Sequence, residues 1–490
     1  MQPTSKSYPG EAETFLAELE EEYYQNGAGL KRTFDLTPIY EKYAHLFSAD
    51  EVNRLLTSCR TKQDRHLAQF AASQHLDRSV CALTDEITTA ETQATLEWDG
   101  AEVPYRMGIL LASKESDRQR RADLSRRLSC LTAQMNEARA ARVSHLHAQA
   151  KQLGFEGYRE LCDDLMDLRL DWLNRQMTIL LAESESLWEQ ELGGYLGEAD
   201  VPPHEAHMAD LRYLLTAPQF DHLFPGERAL PLLRKTLSAM GIDLDAHENL
   251  HLDTDERELK SPRAFCSPVR VPSDIRLVTT PRGGWEDYNM LFHETGHALH
   301  FAHTDPTAPF AFRCLGDFSV AEAHAFTLNM VLRSRFWLRD LAGVPAPAAY
   351  FRFARFYQLY YLRRIGARLA YELELHALDA PTDDLPARYA EHLGRALKVQ
   401  ISPEEYLSDI DDGLYSACYL RAWILEVQLR LKLIEQFGEA WFTRPEAGDF
   451  LRGLWAHGQE FTADEISQQL GYPGLQVEPL IADLTSPVEA

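Results

Sequence analysis

Leu291-Phe292-His293-Glu294-Thr295-Gly296-His297-Ala298-Leu299-His300-Phe301 carries an H-E-x-x-H pattern inside an apolar run. On a helix, the i, i+4 spacing stacks His293 and His297 on one face, where a single tetrahedral ion is gripped by both imidazoles. Glu294 falls beside them, able to take a proton from water without itself being a ligand. Chance would give roughly 0.06 such patterns in a chain of this length and histidine content. The neighbouring Leu291, Phe292 and Leu299 supply an apolar face that places the pattern in a packed core.

Upstream, prolines at 262, 268 and 272 rule out a continuous helix, and residues 274–279 alternate polar with apolar, which predicts a strand. Pro281-Arg282-Gly283-Gly284 makes a turn, Asp287 is the expected N-cap, and a helix is expected over 288–301. Downstream, a catalytic zinc site needs a third protein ligand. Glu322 is the candidate: Asp317 or Ser319 caps a helix that carries it inward among apolar neighbours, where a carboxylate needs a cationic partner. The predicted cofactor is one Zn2+ held by His293, His297 and Glu322. Gly296 costs a helix about 1 kcal/mol relative to Ala, so a neighbouring backbone, such as that of the Glu322 helix, is expected to approach it closely. His300 reads as a packing group behind the ligands.

Two other histidine pairs are set aside. His204 and His207 lie three apart after Pro202-Pro203 with no apolar face, and His145 and His147 point to different faces of a presumed helix.

Elsewhere, apolar residues recur at three- and four-residue spacing over 12–24, 124–153, 168–192 and 350–377, which makes the class mainly α. Thr95-Leu96-Glu97-Trp98 followed by Asp99-Gly100 is compatible with a short hairpin. A lobe boundary is placed near 260, giving an N-terminal helical lobe at 1–260 and a lobe at 261–490 that carries the chemistry. The 490 residues hold 49 Lys+Arg against 75 Asp+Glu, a net charge of −26, which repels nucleic acid and acidic membranes. Seven scattered cysteines without Cys-x-x-Cys spacing argue against disulfides or a thiolate metal site. No apolar run has the length of a secretory signal or a membrane span, so a cytoplasmic location with no membrane partner is expected.

Residues 272–301, with Gly-Gly, Asp-Tyr and Leu-Phe-His-Glu-Thr-Gly-His-Ala-Leu-His-Phe, closely resemble the core of the M3 family of zinc oligopeptidases, the oligoendopeptidase F and thimet group. Ala321-Glu322-Ala323 resembles that family's third-ligand helix, and 151–158 resembles its N-terminal lobe, so the likeness covers roughly 150–430. It implies a two-lobed helical molecule with a small β element beside the H-E-x-x-H helix and zinc at the floor of a deep channel. Short peptides are then the substrates, hydrolysed by a zinc-activated water with Glu294 as base. Members carry a His followed by tyrosines near the C-terminus. Here Asp409 stands at the His position, while Tyr415 and Tyr419 keep the tyrosine positions as oxyanion donors and Arg421 is a further candidate donor.

Alternatives stay open. A zinc carboxypeptidase or dipeptidase of related fold would need a basic residue for the substrate carboxylate, with Arg282, Arg364, Arg368 and Arg421 available. A zinc-binding homologue without turnover is opposed by intact Glu294. If the channel exists, the strand at 274–279 is expected to bind substrate backbone by strand addition.

Overall fold

The computed structural model describes residues 7–345, 347–377 and 381–486. Helices dominate it, as the three- and four-residue apolar spacing predicts. The run at 12–24 belongs to Tyr8–Gly27, and that at 350–377 to Ala348–Leu375. The run at 124–153 divides into Arg118–Gln134 and Asn136–Gln152, which meet at Met135. Among the described residues, no helix is long and apolar enough to cross a membrane, and all seven cysteines are free.

Two small sheets interrupt the helices. β1 (Thr95–Trp98) and β2 (Ala101–Pro104) form the hairpin, with Asp99 and Gly100 at φ of 54° and 75°, the left-handed pair that a tight two-residue turn requires. The second sheet holds β3 (Leu250–Asp253), β4 (Phe265–Arg270) and β5 (Asp274–Val278) in the order β3-β5-β4. β5 runs parallel to β3 and antiparallel to β4. It is the predicted strand, but it lies in the middle of its sheet with both edges paired. The expectation that it binds a peptide backbone by strand addition is therefore wrong, because its main-chain groups are already committed to neighbours.

The motif helix spans Trp285–Ala302 and begins a turn earlier than expected. Asp287 is not its cap: Gly284 holds that position, and the Asp287 carboxylate accepts the N–H groups of Arg282 and Gly283 at 2.6 and 2.9 Å. The carboxylate thus fastens the turn rather than the helix end. Gly283 is obligatory there, since its φ is 99° and a Cβ would lie 2.7 Å from the Gly226 nitrogen.

Leu291, Phe292, Ala298 and Leu299 of the motif helix are at most 1 % exposed. Burying Phe292 or Leu299 contributes about 2–3 kcal/mol each. They belong to a buried apolar cluster that also takes in Leu146, Trp188 and Leu233 from the first half of the chain and Ile424 and Leu480 from the second. The helix carrying Glu322 (Phe318–Asn329) is packed between the motif helix and a third helix, Tyr415–Phe437, and it is buried along its length apart from its first residue.

Candidate metal centre

His293 and His297 project from one face of the motif helix with ring centroids 4.8 Å apart and planes nearly perpendicular, at 88°. Glu322 meets them from the neighbouring helix. Its Oε2 lies 3.3 Å from His293 Nε2 and 3.7 Å from His297 Nε2. The three potential ligand atoms all fall within 4.8 Å of one another. The two helices come this close because of Gly296, where a Cβ would stand 2.5 Å from Ala325 Cα and 2.9 Å from the His324 carbonyl oxygen. Asp317 caps the Glu322 helix, its carboxylate accepting the Ser319 N–H at 3.0 Å.

The donor set fits a divalent cation. Glu322 Oε2 is buried and, among the described residues, makes no hydrogen bond, a cost that an ion at the convergence point removes. The other oxygen is held, since Tyr415 donates its hydroxyl to Oε1 at 2.8 Å. Phe326 packs on the His293 ring at 5.1 Å and stacks on Trp423 at 4.3 Å, which fixes the imidazole from behind. Two imidazoles and one carboxylate are the set of neutral and anionic donors that zinc takes in hydrolytic sites.

The electrostatics express one carboxylate shared by two rings. Burial pushes His297 down to about 4. Burial also opposes charge on His293, but the closer Glu322 carboxylate outweighs it and raises that ring. Glu322 itself is resisted by burial, yet His297 and His293 hold it below the usual carboxylate range. Burial pushes Glu294 up to about 7.

Glu294 turns toward β4, where its Oε2 accepts the Cys266 N–H at 2.9 Å. Sequence reasoning missed Cys266, and a backbone donor leaves no side-chain signature to find. No family model matches the chain, and no curated protein matches it.

The remaining candidates separate. Tyr415 reaches the cluster through Glu322, and the Tyr419 ring lies 4.9 Å from that of Tyr415, facing it edge-on. Tyr419 is half-buried and makes no hydrogen bond through its hydroxyl among the described residues; burial and nearby carboxylates keep its phenol protonated. Arg421 is not brought to the cluster. It is wholly buried, pairs with Asp317 at 2.8 Å and Asp464 at 3.2 Å, and reaches Ser319 and the Leu168 carbonyl. Asp409 pairs with Arg364 and accepts the Tyr389 hydroxyl at 2.7 Å. His300 is buried behind the ligands, its Nε2 3.0 Å from the Gly458 carbonyl and its ring 4.7 Å from His324. His204 is exposed, and His147 pairs instead with His376 at 3.1 Å.

Proposed function

We propose that the chain is a zinc metallopeptidase that hydrolyses short, unstructured peptides. The observation that carries this reading is the approach of Glu322 Oε2 to both His293 Nε2 and His297 Nε2, with Glu294 one residue from the first of them. The resemblance to the M3 oligopeptidases supports the same chemistry. His293, His297 and Glu322 would hold a zinc ion, which would supply the Lewis acidity that a water nucleophile and a scissile carbonyl require.

Glu294 removes a proton from the attacking water and returns it to the leaving amine. The Cys266 N–H fixes which way its carboxylate points, leaving the other oxygen for that work. Tyr419, with a free and neutral phenol, donates to the developing oxyanion. Tyr415 orients Glu322 through their hydrogen bond. β4 is an edge strand whose Cys266 N–H turns to Glu294, so a substrate backbone would run beside β4 rather than β5.

Endopeptidase action is preferred over carboxypeptidase action on one observation. Of the four arginines available for a substrate carboxylate, Arg364, Arg368 and Arg421 are already paired with Asp409, Asp411 and Asp317, which leaves Arg282 alone to serve the carboxypeptidase reading. The expected substrates are peptides of roughly 5–20 residues, with folded proteins excluded by a channel of the kind that the resemblance implies.

Mass spectrometry of products from a peptide library, with end-blocked members and with and without a chelator, tests the reading. Internal cleavage that the chelator abolishes is expected. Glu294→Gln should retain zinc and lose at least ~10²-fold in turnover. Near-normal turnover in that variant would sink the assignment of the base.

A further inference from the structure

A cavity of about 230 Å³ lies next to the metal centre, walled by Phe70, Leu161, Leu165, Met166, Tyr415 and Asp77. The Tyr415 side chain forms part of this wall, and its hydroxyl is 2.8 Å from Glu322 Oε1, so the cavity begins one phenol ring away from a metal ligand. Phe318, from the first turn of the Glu322 helix, also lines it and packs against Tyr415 with ring centroids 6.0 Å apart. Its size is below the range that takes a whole small molecule and suits one long side chain.

The lining has two characters. Phe70, Leu161, Leu165 and Met166 offer an apolar surface to an aliphatic stem. Asp77, seven residues after Phe70 on the same helix (Lys62–Gln93) and so on the same face, sets a carboxylate into that surface. Among the described residues Asp77 forms no ion pair; it accepts a hydrogen bond from Gln74 at 3.3 Å. Asp412 also lines the cavity, but its carboxylate is already taken by Arg142 through two hydrogen bonds of 2.7 and 2.5 Å, which leaves Asp77 as the lining carboxylate without an ion pair among the described residues. Burial pushes Asp77 up to about 7, reinforced by Asp412 and opposed by Arg142.

We propose that this cavity receives a lysine or arginine side chain of the peptide substrate, from a residue close to the scissile bond, and that Asp77 pairs with its cation. Such a side chain matches both characters, since its methylene stem buries against apolar walls and its charged head needs an anion. The chain's net charge of −26 attracts basic peptides over distance. The inference rests on the peptidase reading for its substrate, but it concerns a part of the molecule outside the metal ligands.

Matched peptides that carry lysine or norleucine at each position in turn decide it, because norleucine keeps most of the stem and lacks the ammonium group. Two readouts are needed: hydrolysis by the zinc-loaded protein, and binding to the Glu294→Gln protein by fluorescence anisotropy. At one fixed position relative to the cut, lysine should raise kcat/KM and tighten binding by about tenfold or more. Asp77→Asn and Asp77→Leu should abolish that preference while handling the norleucine peptide as the wild type does. Equal rates and binding for lysine and norleucine at every position in the wild type would overturn the proposal, as would a preference that survives in either variant. Failure to hydrolyse any peptide would instead overturn the peptidase reading, and the binding comparison would still decide the role of Asp77.

Discussion

Gly296 and Ala325 touch backbone to backbone across the two helices that carry the candidate ligands: a Cβ on Gly296 would lie 2.5 Å from Ala325 Cα. Main chain cannot yield as a flexible side chain does, so Gly296→Ala must push the helices apart. Overpacking of this kind costs about 1–3 kcal/mol, against a gain in helix propensity of about 1 kcal/mol. The displacement also moves Glu322 away from His293 and His297. Thermal unfolding of the metal-free protein should show a net loss of stability, and a zinc titration should show affinity reduced by ~10-fold or more. An alanine variant as stable and as tight as the wild type would mean that the helices do not set the ligand geometry.

Each ligand is expected to matter separately. His293→Ala, His297→Ala and Glu322→Ala should each remove most of one equivalent of zinc per chain, because two remaining donors cannot complete a site that normally uses three. Elemental analysis after gel filtration is the measurement. Full occupancy in Glu322→Ala would show that another group supplies the third bond.

The motif helix, the third-ligand candidate and the close approach at Gly296 were legible in the sequence because their signals are local: an i, i+4 pair, a carboxylate among apolar residues, a glycine inside a helix. β5 was legible as a strand for the same reason. Its central place in the sheet was not, because pairing with β3 and β4 is a matter of tertiary order and leaves no periodicity. Arg421 looked like a free donor since its partners Asp317 and Asp464 stand 104 and 43 residues away. Asp77 and the cavity it lines gave no sign, because the walls come from segments remote in sequence.

The two tyrosines are expected to fail differently. Tyr415 donates its hydroxyl to Glu322, so Tyr415→Phe should weaken zinc binding by about 10–100-fold through loss of a group that orients a ligand. Tyr419 has no such engagement, so Tyr419→Phe should leave zinc affinity unchanged and lower kcat by ~10²-fold. Zinc titrations and steady-state kinetics at saturating zinc separate the two. Wild-type kcat in Tyr419→Phe would transfer oxyanion stabilisation to another group.

Glu372 provides a test of the electrostatics away from the metal. It is fully buried on Ala348–Leu375, with the Asp411 N–H at 3.2 Å from Oε1 and Arg368 Nε no closer than 3.8 Å. Burial pushes its carboxyl up to about 7, against about 4.3 in an unfolded chain. Between those values the folded state binds the extra proton, so its contribution to stability is complete at low pH and is lost as pH rises toward 7. Glu372→Gln is neutral at every pH and escapes this loss. The unfolding free energy of the variant minus that of the wild type should therefore rise by on the order of 1–3 kcal/mol from pH 5 to pH 8. Urea denaturation of the metal-free proteins at both pH values measures it, so that the pH dependence of zinc binding drops out. A difference that stays constant between the two pH values would show that Glu372 ionises normally, and that Arg368 or water compensates its charge inside the fold.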